Sequence, residues 1–178
     1  MSHPPSSGDR TRSRSADADR VKVGVSDLSV ATGGETLTTS GLGSCVAVAL
    51  VDRAAGVRGL LHAMLPTGTG TDTGTPTDAG TERPGKYVDT GIETLIGELE
   101  SAGASPDRLE ARVVGGAEML DLTDAVGPRN VARAEQCLDA AGIPVVERAV
   151  GDGVGRTVRF RADGRLVVRA ADGFERTL

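Results

Sequence analysis

The sequence predicts an α+β domain built as a layered sandwich with its helices on one side. Seven segments alternate apolar and polar residues with the two-residue period of a strand. Two longer segments repeat apolar residues at the spacing of an amphipathic helix. The order is three strands, a helix, a strand, a helix and three strands, which is typical of α+β layering.

The predicted strands are short and aliphatic, and they are, in chain order, VKVGVSDLSVA, SCVAVALV, GVRGLLH, LEARVVGG, IPVVERAV, GRTVRFRA and GRLVVRA. The chain has only two phenylalanines, one tyrosine and no tryptophan. We therefore expect the core to be packed almost entirely from aliphatic side chains.

The first helix is predicted within KYVDTGIETLIGELESAGA, where Gly103 can end it. Its apolar stripe consists of Val88, Ile92, Leu95, Ile96 and Leu99. The second helix is predicted to begin at about Asn130, a good N-cap residue, and to stop at Gly142 and Pro144. Cys137 shares an apolar face of this helix with Ala134, Leu138 and Ala141, so we expect it to be a core residue.

Two segments have no core-forming pattern. Residues 1–20 are rich in Ser, Arg, Asp and Pro, and we expect a disordered N-terminal tail. The stretch PTGTGTDTGTPTDAGTERPG, at about 66–85, is predicted to be a flexible insertion. The length of 178 residues then fits a single domain over 21–178.

Composition excludes several functional classes. A net charge of -5 and only two lysines do not support nucleic-acid binding. The sequence has no apolar run long enough to span a bilayer and no signal-peptide core, which predicts a cytoplasmic protein without membrane insertion. In that reducing compartment we do not expect Cys45 and Cys137 to form a disulfide. No CxxC motif or Cys/His cluster indicates a metal site.

The stretch TTSGLGSCVAVAL places Cys45 between a glycine-rich turn and a strand. The connection DRAAG to the next strand has hairpin length, and a turn centred near Arg53 and Ala54 would put Cys45 opposite His62. Facing side chains have Cβ atoms about 4.5–5.5 Å apart. A thiol and an imidazole at that distance form a nucleophile and base pair.

The surroundings of Cys45 fit such chemistry. Ala47 and Ala49 lie on its face of the strand, and their small size is expected to leave space for a substrate. The glycine-rich turn allows the backbone N–H of Cys45 and a neighbour, Ser44 or Gly43, to stabilise an oxyanion.

A third group must orient the histidine. By spacing alone it could be Thr38, Thr39 or Ser40, and the sequence pattern does not choose among them.

Six motifs in order carry a resemblance to a known family, namely TSGLGSCVAV, LLHAMLP, PGKYVDTGI, VVGGAEML, VGPRN and GVGRTVRF. From about Val21 onward, apart from the Thr/Gly insertion, the chain resembles the CheD family of chemoreceptor glutamine deamidases. It departs from the family pattern in GDGVGR, in Leu120 and in the long 66–85 loop.

The resemblance implies a layered α/β/β fold shared with bacterial cytotoxic deamidase toxins. It also implies a triad of Cys45 as nucleophile, His62 as base and Thr39 as the orienting hydroxyl, with no metal or organic cofactor. The implied reaction converts glutamine side chains of chemoreceptor cytoplasmic helices to glutamate through a Cys thioester, in support of chemotaxis. The implied partner is a CheC-type phosphatase.

Two other functions remain open at this point. A non-catalytic adaptor would bind chemoreceptors and a CheC-type phosphatase, although the presence of all three triad residues counts against it. A thiol peptidase or transglutaminase would use the same nucleophile on a different acceptor.

Overall fold

The computed structural model describes residues 19–68, 83–118 and 125–178. Within these ranges the chain is mixed α+β, as predicted, and forms ten strands, two α-helices and a short 3-10 helix at Pro106–Arg108. The elements are β1 (Arg20–Lys22), β2 (Asp27–Ala31), β3 (Thr36–Leu42), β4 (Val46–Asp52), β5 (Val57–Ala63), α1 (Val88–Ser101), β6 (Glu110–Gly115), α2 (Val126–Ala140), β7 (Val145–Val150), β8 (Arg156–Phe160), β9 (Leu166–Ala170) and β10 (Glu175–Thr177).

The strands form two five-stranded sheets. Sheet A has the order β1-β3-β8-β9-β10, and sheet B has the order β2-β5-β4-β6-β7. Pairing is antiparallel except between β1 and β3 and between β6 and β7. The parallel β6–β7 pair is joined by a crossover that contains α2, as a parallel connection requires.

Two apolar clusters show how the layers stack. One joins both helices to sheet B, with members that include Leu95, Leu138, Val48, Leu61 and Val113. The other lies between the sheets and includes Leu37, Phe160, Ala49, Leu60 and Val114. Sheet B is therefore the middle layer, with the helices on one face and sheet A on the other. Almost all of these side chains are aliphatic, as the composition predicts.

The two strands that carry the candidate site, β4 and β5, are buried along their whole length. The turn between them is closed by Asp52, whose carboxylate accepts hydrogen bonds from Arg108 and from the backbone N–H groups of Ser105 and Ala55. The Arg108 side chain and these N–H groups hold the pKa of Asp52 well below its usual range. This network fixes the hairpin at the end remote from Cys45.

The β4–β5 register differs from the prediction. Val46 pairs with Ala63 and Ala47 with His62, so His62 faces Ala47 and not Cys45. The turn comprises residues 53–56, which places its centre one residue later than expected and shifts the pairing by two. A two-residue shift preserves the faces of the strands, so Cys45 and His62 still lie on the same side of sheet B.

The space expected beside Ala47 and Ala49 is also absent. Both side chains are at most 1% exposed and pack in the cluster between the sheets. Their small size lets sheet A approach sheet B closely, so the space beside them is filled by other described residues of this cluster.

The element boundaries differ from the prediction at four places. The predicted strand 21–31 is two strands in different sheets, separated by a turn at which Ser26 has φ 63°. β3 and β10 were not predicted as strands. α2 begins at Val126, so Asn130 lies inside the helix and is not its N-cap.

The predicted tail and insertion fall mainly on residues 1–18 and 69–82, outside the described residues. Among the helices that the structure describes, none is both long and apolar enough to cross a membrane.

Candidate active site

The three residues of the predicted triad come from two strands and from the residue before a third strand. Thr39 lies on β3 of sheet A, His62 lies on β5 of sheet B, and Cys45 immediately precedes β4. Cys45 packs against the cluster between the sheets. The register makes Cys45 a diagonal neighbour of His62, for which Cβ atoms lie about 7 Å apart or somewhat less. An imidazole side chain can span that distance.

Thr39 and His62 are in direct contact. The Oγ1 of Thr39 lies 2.7 Å from Nδ1 of His62 and also 2.7 Å from the carbonyl oxygen of Val23. A carbonyl can only accept, so the hydroxyl proton of Thr39 is donated to Val23. The Thr39 oxygen must then accept the proton of Nδ1–H. This arrangement sets the tautomer of His62 and leaves its Nε2 with a lone pair.

That Nε2 is the unusual atom of the site. It is buried and has no hydrogen-bond partner among the described residues. Buried polar atoms are nearly always paired, and a catalytic role is one of the explanations for an unpaired one. His62 therefore has a buried proton acceptor, and its side chain lies on the same face of sheet B as Cys45.

Burial sets the charge of both groups. His62 has no exposed surface, and burial lowers its pKa to about 4, so the imidazole is neutral at physiological pH. Burial also raises the pKa of the Cys45 thiol, an effect only partly offset by a hydrogen bond from its own backbone N–H. The resting pair is a thiol beside a neutral imidazole, in which the imidazole can remove the thiol proton as the sulfur attacks.

The competing hydroxyls are placed elsewhere. Ser40 is exposed, and Thr38, the next residue along β3, points to the opposite face of sheet A from Thr39. Of the three candidates left open by spacing, Thr39 is the one in contact with His62.

The turn before Cys45 is held by its carbonyl groups. The Gly43 oxygen accepts from the N–H of Ala117 at 2.9 Å, and the Cys45 oxygen accepts from the N–H of Gly116 at 2.8 Å. Between them, the Ser44 oxygen accepts from Nδ2 of Asn130 at 2.9 Å. Three successive carbonyls are thus fixed by the β6–α2 region.

The N–H groups of the same peptides point away from these donors. In a planar trans peptide the N–H lies opposite the C=O, so the N–H groups of Ser44 and Cys45 are directed away from Ala117 and Asn130. Neither takes part in a backbone–backbone hydrogen bond described for this turn, whereas Gly43 N–H donates to Gly41 O at 3.0 Å. Of the two neighbours predicted to assist Cys45, Ser44 therefore has the available donor.

Close approaches of the backbone explain the glycines at the end of β6 and the start of α2. A Cβ on Gly115 would lie 2.4 Å from the Cys45 carbonyl oxygen, and one on Gly127 would lie 2.4 Å from the Ala117 carbonyl oxygen. Gly115 and Gly116 also have φ values of 104° and 62°. Only glycine allows the backbone to come this close while holding the turn before Cys45.

Asn130 was missed as a site residue. It is fully buried, and its Nδ2 donates to the carbonyl oxygens of Ser44 and Met64, at 2.9 Å each. A signal was present in the sequence, because a polar residue falls on the helix stripe that includes Gly127, Ala134 and Leu138. Its good N-cap propensity led to the wrong role.

The second cysteine is in a different environment. Cys137 is partly buried on α2 and packs against the cluster that joins the helices to sheet B. Both cysteines are free.

Comparison with known proteins agrees with this architecture. Residues 64–170 match the family model described as CheD chemotactic sensory transduction. A probable chemoreceptor glutamine deamidase CheD from Haloarcula marismortui is 39% identical over 86% of this chain and 87% of its own length. The chemoreceptor glutamine deamidases CheD of Thermotoga maritima and Bacillus subtilis are 37% and 34% identical, covering 86% and 89% of this chain and 93% and 95% of their own.

The chain belongs to the CheD family.

The CheD family model covers only part of the chain. The family model begins at Met64, after Thr39, Cys45 and His62, and covers the β6–α2 region that holds the turn before Cys45. The curated relatives extend the likeness beyond that region, since their alignments cover 86–89% of the chain. The assignment of roles to the three residues depends on their geometry and on the motifs around them.

Proposed function

We propose that this protein is a cytoplasmic chemoreceptor glutamine deamidase. It hydrolyses the side-chain amides of specific glutamines in methyl-accepting chemotaxis receptors, producing glutamate and ammonia. The observation that carries the proposal is the buried Nε2 of His62, left unpartnered by the Thr39 hydrogen bond and directed to the side of sheet B where Cys45 lies. The names of the CheD relatives support this choice of substrate.

The first half of the reaction forms a thioester. Sγ of Cys45 attacks the amide carbon of glutamine while its proton passes to Nε2 of His62, and the carbonyl electron pair moves onto oxygen. The N–H groups of Cys45 and Ser44 stabilise this oxyanion. The proton on Nε2 is then donated to the amide nitrogen, the C–N bond breaks, and ammonia leaves.

The second half consumes water. Nε2 of His62 removes a proton from water as the oxygen attacks the thioester carbon. The C–S bond breaks, the thiolate takes the proton from Nε2, and the glutamate side chain is released. Thr39 accepts from Nδ1–H throughout and keeps the imidazole in the reactive tautomer. No metal or organic cofactor takes part.

The proposal also includes the fold likeness, the role of the product glutamates and a partner protein. The stacking of helices, sheet B and sheet A supports the α/β/β likeness to cytotoxic deamidase toxins. The glutamates produced would serve as receptor methylation sites and so support chemotaxis. A CheC-type phosphatase is the proposed partner protein.

The test is co-expression of a receptor cytoplasmic fragment with the wild-type protein or with Cys45→Ala. Mass spectrometry should find particular receptor glutamines converted to glutamate by the wild type and none by the variant. Cleaved or crosslinked receptor chains would indicate a peptidase or transglutaminase instead. Unmodified glutamines with retained receptor binding would favour the adaptor.

A further inference from the structure

We infer that Asn130 is a positioning residue that aims the backbone N–H of Cys45 at the oxyanion formed during catalysis. The inference rests on the proposed deamidase function, and it assigns a part of the machinery to α2. Its basis is one buried side chain that contacts both segments bearing the reacting groups.

The amide of Asn130 is committed to this contact. Both hydrogen-bond partners of its side chain are carbonyl oxygens, those of Ser44 and Met64, and a carbonyl can only accept. The two N–H bonds of Nδ2 are therefore both used. Its Oδ1 is buried without a partner among the described residues, which is unfavourable. The buried stripe of α2 thus contains an amide whose hydrogen bonds to described residues are both donated by Nδ2.

The first of these bonds acts on the reacting peptide. The Ser44 carbonyl and the Cys45 N–H belong to one planar trans peptide and point in opposite directions. Fixing the carbonyl on Asn130 therefore fixes the direction of the N–H. In a preorganised site a donor must be aimed before the charge develops, because reorientation during the reaction costs free energy.

The second bond acts on the strand that carries the base. Met64 lies two residues after His62, at the end of β5, and its carbonyl is held by the same Nδ2. One side chain therefore fixes the position of the Cys45 turn relative to the end of β5. Loss of both donors should disturb oxyanion stabilisation without removing the nucleophile or the base.

The experiment compares the wild type with Asn130→Leu, which keeps the branched shape and removes both donors. Gln136→Leu is the control, since it also replaces an amide side chain with leucine, at an exposed position of α2 where the amide accepts from Arg133. Three quantities are measured: ammonia release from a purified receptor fragment, the rate of Cys45 alkylation by iodoacetamide, and inhibition by a receptor peptide carrying an aldehyde in place of the glutamine amide. Alkylation forms no oxyanion, whereas the aldehyde adduct does.

Removing an oxyanion donor typically lowers kcat by about 10²–10³, and a misaimed donor should cost at least about tenfold. For Asn130→Leu we expect that loss in kcat, a similar loss in aldehyde affinity, and KM and alkylation within about twofold of wild type. Gln136→Leu should match wild type in all three. An unchanged kcat, or alkylation that falls as much as kcat, overturns the inference.

The experiment also distinguishes a variant that does not fold from a wild type that has no deamidase activity. If Asn130→Leu does not fold, Asn130→Ala removes both donors with a smaller side chain, and the same criteria apply. If the wild type releases no ammonia, the proposed function fails, and the aldehyde decides the role of Asn130. If the aldehyde peptide binds the variant more weakly than the wild type, the positioning role of Asn130 is still supported. If it binds both equally, or forms no adduct with the wild type, that role is overturned.

Discussion

The hydroxyl of Thr39 has two partners and one proton, and this determines the state of His62. Because Val23 can only accept, Thr39 must accept from Nδ1, and the free lone pair of the imidazole must be on Nε2. A residue on sheet A thereby fixes the proton position of a residue on sheet B. The geometry predicts that the oxygen at position 39 matters more than the methyl group.

Two substitutions at Thr39 separate these contributions. Thr39→Val keeps the shape and loses the oxygen, so the imidazole loses its orientation and ammonia release should fall by about tenfold or more. Thr39→Ser keeps the oxygen and should retain substantial activity. Rates on a receptor fragment, with circular dichroism to confirm folding, provide the comparison. Wild-type activity in Thr39→Val would remove Thr39 from the mechanism.

The buried His62 also predicts how stability depends on pH. Its pKa is about 4 in the folded protein and 6.5 when unfolded, so the unfolded chain binds more protons between these values. The free energy of unfolding should therefore fall as pH falls from about 6.5 to 4, by up to about 3 kcal/mol from this residue. Urea titrations of wild type and His62→Gln give the measurement. If the free energy of unfolding changes with pH in the same way in wild type and in His62→Gln, His62 does not have the lowered pKa.

The sequence indicates which residues belong to the candidate site better than it predicts how they contact each other. Cys45 and His62 could be proposed from a glycine-rich turn and a hairpin, but turn length alone gave a register two residues away from the one observed. Thr39 could not be separated from its neighbours by physics, because its partner lies on another sheet. That long-range contact depends on how the two sheets stack, which spacing along the chain does not specify.

Among the elements, α2 and the end of β6 form the support of the site. They hold three successive carbonyls of the Cys45 turn, and they pack against each other through glycines whose Cα atoms leave no room for a side chain. The turn is therefore stabilised by backbone contacts more than by its own sequence.

A matched pair of glycine substitutions tests this support. A Cβ on Gly127 would lie 2.4 Å from Ala117 O, so Gly127→Ala should lower the free energy of unfolding by about 1–3 kcal/mol and reduce deamidation. Gly97 is an exposed position in α1, and a Cβ placed there would have nothing within 4 Å. Gly97→Ala should therefore raise the free energy of unfolding by about 0.5–1 kcal/mol. Thermal and urea unfolding measure both. Equal effects would contradict the close approach described here.

Element prediction succeeded where the apolar period was uninterrupted. The central strands and α1 follow their sequence patterns closely. β3 was missed because Thr, Ser and Gly in TLTTSGL are typical of a turn, and only pairing with β1 and β8 makes it a strand. Asn130 was misplaced because the same residue type serves helix caps and buried hydrogen bonds.

In the whole molecule, stacking two sheets under one helical layer brings the proposed site residues together. Cys45 and His62 come from adjacent parts of sheet B, Thr39 comes from sheet A, and Asn130 comes from the helical layer. The contact between sheets buries His62, and this desolvation lowers its pKa and keeps the imidazole neutral. The fold class was predictable from the order of elements, whereas this convergence required the tertiary structure.

The central claim is that deamidation passes through a thioester on Cys45, and trapping with hydroxylamine tests it most directly. Hydroxylamine attacks a thioester to release the thiol and leave a hydroxamate on the acyl group. Wild-type protein incubated with a receptor fragment and hydroxylamine should yield hydroxamate at the same glutamines that otherwise become glutamate, and Cys45→Ala should yield neither product. Normal ammonia release with no hydroxamate, or deamidation by folded Cys45→Ala, would contradict the account.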